Sequence, residues 1–315
     1  MRKFWLVLRQ AFTEFVNDHG LKFSASLSYY TIFALGPVLL IIISLAGIFF
    51  GKEAVEGKIY WQIQGLVGSS AALQIQEIIS NIEASQFTRG GVIVGVAILF
   101  IGATGVFTEM QDSINYIWSI KTKPKKSLVK FVFDRLTSFS LIISFGFILM
   151  VSLGVHALVD LLHDQLSGYF DEATLVIFQA LNYGILFVII TTLFAIIFKV
   201  LPDAKIRWKD SYVGAMFTAV LFLIGKFLIG LYLGNSNIGL TYGAATSVVI
   251  ILVWVYYTSI ILYFGAEFTK VYTMNLGGGI VPDKTAVFII KQEVTELTTS
   301  RDELTTLEEK QRKAE

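Results

Sequence analysis

Six long apolar stretches, with lysine and arginine crowded into alternate gaps between them, constrain this chain more than any other feature. About 20 apolar residues are needed to cross bilayer hydrocarbon. Stretches at roughly 27–50, 91–114, 136–159, 174–200, 212–234 and 244–268 meet that length. Lipid offers no partner for backbone N–H and C=O groups, so the stretches are expected to be helices. The expected fold class is therefore all-α, a polytopic membrane protein with six transmembrane helices. Composition agrees: 16% of the 315 residues are charged and 55% apolar, whereas about a quarter of a soluble chain is charged.

The basic residues orient the spans. Arg2, Lys3, Arg9 and Lys22 precede the first. Lys121, Lys123, Lys125, Lys126, Lys130 and Arg135 follow the second, and Lys199, Lys205, Arg207 and Lys209 follow the fourth. Lys270 and the later basic residues follow the sixth. The opposite gaps carry only Lys52, Lys58 and Arg89. Basic residues stay on the cytoplasmic side, so both termini are expected there, in a multi-pass protein of the cytoplasmic membrane. The net charge of +1 and the lack of a basic arm argue against a nucleic-acid partner. The absence of cysteine excludes disulfides and thiolate metal ligands. No phosphate-loop run for ATP occurs, so transport would be ion-coupled, passive or partner-driven.

Three regions are expected. Residues 1–26 form a cytoplasmic interfacial helix, because Phe4, Trp5, Leu8, Phe12, Phe15 and Val16 recur at helical spacing with Arg9, Glu14 and Asp18 turned away. Those charges also interrupt any signal-peptide core, leaving the first span to target the chain. Residues 27–275 form the transmembrane domain, with an outer insertion at 51–90 in which Ile75, Ile78, Ile79 and Ile82 mark an amphipathic helix. Residues 276–315 turn abruptly to Glu, Thr, Lys and Arg after Gly277, Gly278 and Gly279, which reads as a solvated, partly helical tail.

Ionisable groups inside spans cost a few kcal/mol, about 2.5–3.5 on insertion scales, and each is a functional candidate. Orientation places Glu109, Asp112 and Glu267 near the cytoplasmic ends of the second and sixth spans. Ser28 and Thr31, flanked by Tyr29 and Tyr30, open the first span at the same level. A polar, acidic vestibule is one reading; helix capping, with Lys121 or Lys270 neutralising the acids, is the other. Lys226 lies about eight residues, roughly 12 Å, short of the outer face. Pro37 removes a donor inside the first span and kinks it beside Gly36. His156, Asp160 and His163 share an outer helix face, but no fourth metal ligand accompanies them. No metal or cofactor is expected.

Several motifs carry a resemblance. Ala25-Ser26-Leu27-Ser28-Tyr29-Tyr30-Thr31 followed by Phe33-Ala34-Leu35-Gly36-Pro37, then Leu201-Pro202-Asp203 with its basic stretch to Lys209, are two of them. Tyr242-Gly243-Ala244-Ala245 with Ser247, and Trp254 to Tyr257 leading into Phe264-Gly265-Ala266-Glu267-Phe268, complete the set. In this order they resemble the BrkB/YihY family of bacterial inner-membrane proteins, over residues 5–275. The resemblance implies six helices in the bacterial cytoplasmic membrane, and brings an older label as a tRNA-processing ribonuclease BN. The expected orientation sets His156 and His163 away from cytoplasmic RNA, which argues against that label and against an enzyme.

The expected function is a transporter or flippase-like protein for a lipid, an envelope precursor or a small amphiphile. Its cavity would be lined by Ser28, Tyr29, Tyr30, Thr31, Pro37, Glu109, Asp112, Lys226 and Glu267. Membrane lipids are the expected partners, an anionic lipid or envelope precursor among them, with homo-oligomerisation left open. The alternative is a non-transporting envelope scaffold that recruits partners.

Overall fold

The computed structural model describes residues 2–34, 72–73, 76, 105–123, 172–235 and 245–291. The described chain is mostly helical. Helix α1 spans Arg2–Asn17, α2 is described over 20–34 and α3 over 105–117; strand β1 follows at Ile120–Thr122. Next come α4 (Glu172–Val200), β2 (Ala204–Lys205), α5 (Trp208–Asn235), α6 (Thr246–Asn275), β3 (Val281–Pro282) and β4 (Ala286–Phe288). The third span and Pro37 lie outside the described residues. So do His156, Asp160 and His163, and all of the 51–90 insertion except the helical residues 72, 73 and 76.

Two described helices are long and apolar enough to cross a membrane, Trp208–Tyr232 and Val248–Asn275. At 1.5 Å per residue they reach about 37 and 42 Å, more than the hydrocarbon thickness of about 30 Å. Helix α4 fills the stretch expected for the fourth span.

Burying apolar side chains does little to join helices already in lipid, so close packing carries their association. Helices α5 and α6 meet through two matched pairs of small residues. A Cβ added at Gly214 would overlap the Thr269 side chain, and one at Gly265 would overlap that of Thr218. Each threonine also donates its hydroxyl within its own helix: Thr218 to the Gly214 carbonyl at 2.8 Å and Thr269 to the Gly265 carbonyl at 2.6 Å. The pattern Gly-x-x-x-Thr thus occurs on both helices, each glycine receiving the other's threonine. Further along, Gly225 packs beneath Tyr257 and Ile261, while a Cβ added at Gly230 would meet nothing within 4 Å among the described residues.

Helix α1 lies against α6. Val7 and Ala11 are buried with Phe268 and Val271, Phe15 sits 5.7 Å from Phe264, and Phe4 lies 5.8 Å from Phe268. Phe4, Trp5, Leu6, Phe12 and Val16 stay exposed, so the helix presents apolar surface outward as well as inward. Its apolar surface is therefore wider than the single face read from spacing, because Val7 and Ala11 form the inner contact. The chain turns into α2 at His19, whose φ of 58° is left-handed, beneath the Phe15 ring that covers Gly20.

The structure differs from the sequence reading beyond residue 275. The segment expected to begin a solvated tail folds back onto the helices through residue 291. Strand β4 pairs antiparallel with β1, Ile120 opposite Phe288, Lys121 opposite Val287 and Thr122 opposite Ala286. Strand β3 pairs with β2, Ala204 opposite Pro282 and Lys205 opposite Val281. Strands of two or three residues carry too weak an alternation to stand out in a sequence, and Gly279, at φ +80°, supplies the left-handed step that lets the chain turn back. Residues beyond 291 lie outside the described part.

Candidate functional site

The described parts of the basic segments meet at one end of the helices. Two residue groups hold them together, each centred on a buried carboxylate.

The first group joins α1, α6 and the returning chain. Glu267 is fully buried, and its Oε1 accepts from Lys270 Nζ at 2.8 Å. Lys270 also reaches Glu14 Oε2 at 2.7 Å and Asp18 Oδ2 at 3.6 Å, while Lys291 Nζ donates to Asp18 Oδ2 at 2.6 Å. Lys291 also lies 4.1 Å from the centre of the Tyr116 ring, which brings α3 into the group. Three carboxylates face two ammonium groups, so the cluster keeps one formal negative charge and can accept a proton. Burial pushes the Glu14 carboxyl upward, but hydrogen bonds from Lys270 and Gln10 and the Lys270 charge outweigh it and hold the group below the ordinary glutamate value. At Lys291 burial wins over the opposing attraction of Asp18, and the ammonium sits below the ordinary lysine value.

The second group centres on Asp203. Its Oδ2 accepts from Asn115 Nδ2 at 3.0 Å and Thr122 Oγ1 at 2.9 Å, and its Oδ1 from Gln111 Nε2 at 3.3 Å. Its own N–H donates to Asn115 Oδ1 at 2.8 Å, and its carbonyl accepts from the Asp283 N–H at 2.9 Å. One residue therefore ties α3, β1, the loop after α4 and the returning chain. Nearby, Arg207 donates to Asp210 Oδ2 at 3.1 Å, and that oxygen also accepts the Gly278 N–H at 2.9 Å. Trp118, almost fully buried, donates its indole N–H to the Ala266 carbonyl at 3.1 Å, beside Glu267.

The residues expected to line a cavity fall in several places. Glu109 and Asp112 act electrostatically on buried Tyr263, which precedes Glu267 by one helical turn on the same face of α6. Glu267 itself pairs with Lys270 on α6, which in turn reaches Glu14 on α1. Ser28 is buried and donates to the Ala25 carbonyl at 2.9 Å, and Thr31 donates to the Leu27 carbonyl at 2.8 Å. Tyr29 and Tyr30 are exposed, and the Tyr30 ring lies where a Cβ on Gly105 would stand 3.2 Å away. Lys226 is half-buried in α5, 18 residues beyond Trp208 and so about 27 Å from the basic end. Asp203, Asn115, Glu14 and Asp18 do not stand out in the sequence as site residues, because their partners lie up to 273 positions away in the chain. The Leu201-Pro202-Asp203 motif was the one available signal.

A profile described as Virulence factor BrkB matches residues 11–287. This chain belongs to the BrkB family. The match ends within β4, so it takes in the returning strands as well as the helices. Curated relatives include a UPF0761 membrane protein of Psychrobacter sp. (strain PRwf-1), 24% identical over 87% of this chain and 50% of the relative. Another, from Vibrio vulnificus (strain YJ016), is 27% identical over 77% of this chain and 74% of the relative. A third, from Azotobacter vinelandii, is 27% identical over 84% of this chain and 62% of the relative. The chain thus spans about half the length of the first of these. No solved structure matches. The family and the relatives' names make this a membrane protein.

Proposed function

We propose that this BrkB-family protein is a six-span, transporter or flippase-like protein of the bacterial cytoplasmic membrane, with its basic end in the cytoplasm and a lipid, envelope precursor or small amphiphile as cargo. The observation that carries the reading is Lys226, an ionisable residue half-buried within the apolar span Trp208–Tyr232. A lysine at that depth costs about 2.5–3.5 kcal/mol on insertion scales, a cost usually met at a functional position. In this reading Lys226 meets an anionic part of the cargo or an internal carboxylate. Ser28, Tyr30 and Glu109 border the inward-facing part of the route, and Glu267 sets its floor by holding α1 in place. The basic end gathers the gaps after the second, fourth and sixth spans, which supports the cytoplasmic orientation.

The test is lipid translocation by purified protein in proteoliposomes, using fluorescent-headgroup phosphatidylglycerol and phosphatidylethanolamine. The reading predicts translocation that falls at least tenfold in a Glu109→Gln/Lys226→Met variant of unchanged assembly. Undiminished translocation by that variant would contradict it.

A second reading is a non-transporting envelope scaffold. It is favoured by the amount of polar chemistry at the basic end that is consumed in holding segments together. A chain cut after residue 291, keeping β4, separates the two: lost cellular function with intact translocation supports the scaffold. We read the ribonuclease label as foreign to this chain, and metal-dependent RNA cleavage by nuclease-free purified protein would overturn that.

A further inference from the structure

Between α1 and the C-terminal end of α6 lies a groove of about 560 Å³, within the range of ligand sites of about 300–1,000 Å³. Lys3 and Arg9 contribute its charge, Gln10 and Asn275 its amides, and Leu6 and Leu276 apolar wall. The amides are fixed, since Asn275 Nδ2 donates to Gln10 Oε1 at 3.0 Å and Gln10 Nε2 donates to Glu14 Oε1 at 2.7 Å. Glu14 is committed to Lys270, and neither Lys3 nor Arg9 meets a carboxylate among the described residues. The first turn of α1 holds no acidic residue, so its N-terminal dipole adds to the positive field. The opposing field of the α6 carbonyl end is blunted, because the Leu276 and Gly277 N–H groups cap the Tyr272 carbonyl and Gly279 caps that of Thr273.

Position narrows the occupant. The groove begins where the apolar helix Val248–Asn275 ends, and a helix of this length, longer than the hydrocarbon is thick, ends among the headgroups when it spans a bilayer. Phe4, Trp5 and Phe12 stand exposed on the same helix, side chains suited to the boundary between headgroup and acyl chain. A cationic, amide-lined groove with apolar walls at that depth complements an anionic headgroup carried on an acyl chain.

We propose that this groove is a binding site for the phosphate headgroup of an anionic glycerophospholipid. Lys3 and Arg9 hold the phosphate, and the Gln10–Asn275 pair meets the headgroup hydroxyls. The bound lipid clamps α1 to α6 from outside, as Lys270 does from within. The site does not depend on whether the protein transports anything, so it stands or fails separately from the translocation test.

The test uses full-length protein stripped of lipid in a neutral detergent. Thermal unfolding and native mass spectrometry are followed on adding palmitoyl-oleoyl phosphatidylglycerol, phosphatidylcholine with the same chains, or inorganic phosphate. The expected result is a retained adduct and a raised Tm with phosphatidylglycerol alone. The Lys3→Gln/Arg9→Gln variant should bind it at least tenfold more weakly, whereas a Lys205→Gln/Lys209→Gln control on the same pole binds it as the native protein does. Should the double variant fail to fold, each single replacement carries the test, with a partial loss expected. Equal retention of phosphatidylcholine, displacement by millimolar phosphate, or equal losses in the control variant would overturn the proposal.

Discussion

Lys270 sits among three carboxylates, at 2.7 Å from Glu14, 2.8 Å from Glu267 and 3.6 Å from Asp18. Removing it strands a fully buried Glu267, and breaking such a pair costs about 3–5 kcal/mol. Lys270→Met is therefore expected to lower the unfolding midpoint sharply in detergent, and adding Glu267→Gln should recover most of the loss. A further loss from the second replacement would show that the two residues act apart. The pH dependence has a defined sign. Glu14 lies below its ordinary value of 4.5 in the folded protein, so its contribution is present above that value and disappears as the pH falls through the lowered one. Melting curves should show acid destabilisation in that window, weakened in Glu14→Gln. Glu267 was visible in the sequence as a charge in an apolar span, and Lys270 as its neutraliser three residues on. Glu14 and Asp18 were not, since they read as the solvent side of an amphipathic helix until packing turned them inward.

The helix pair α5–α6 shows how small residues set an element's position. Gly214 and Gly265 leave no room for a methyl group, and overpacking of this kind costs about 1–3 kcal/mol. Gly214→Ala should destabilise the bundle in detergent unfolding, and Thr269→Gly in the same chain should relieve it. On the same helix as Gly214, Gly225 packs beneath Tyr257 and Ile261, a Cβ at Gly230 would meet nothing within 4 Å among the described residues, and the tightest contacts between the two helices fall at Gly214 and Gly265. Glycine content shows that helices can approach, whereas the rotation of each helix decides which glycine is used. The short strands depend likewise on one side chain. Asp203→Ala would leave the Asn115 and Thr122 donors without their acceptor and loosen β1–β4 and β2–β3 together. Faster amide exchange at 281–288 with unchanged exchange in α5 is the expected outcome.

Across the molecule, the alternating basic gaps have acquired a physical form. The sequence pattern, read through the cost of moving lysine and arginine across lipid, assigned them to one side; pairing of 120–122 with 286–288 and of 204–205 with 281–282 brings three of those gaps into contact. The link from Lys291 to Asp18 brings in the fourth. What composition and charge made legible was the class of protein and the grouping of its loops. The contacts that join those gaps were hidden, because they pair residues 68 to 273 positions apart with no local signature. Their common side is open to direct measurement, since the chain has no native cysteine. Single cysteines placed at Lys123, Lys205 and Lys284, all exposed, would be labelled in intact cells and in inverted vesicles with a membrane-impermeant maleimide. The account predicts that all three react in inverted vesicles and are protected in intact cells; reaction of any one of them from outside intact cells would contradict it.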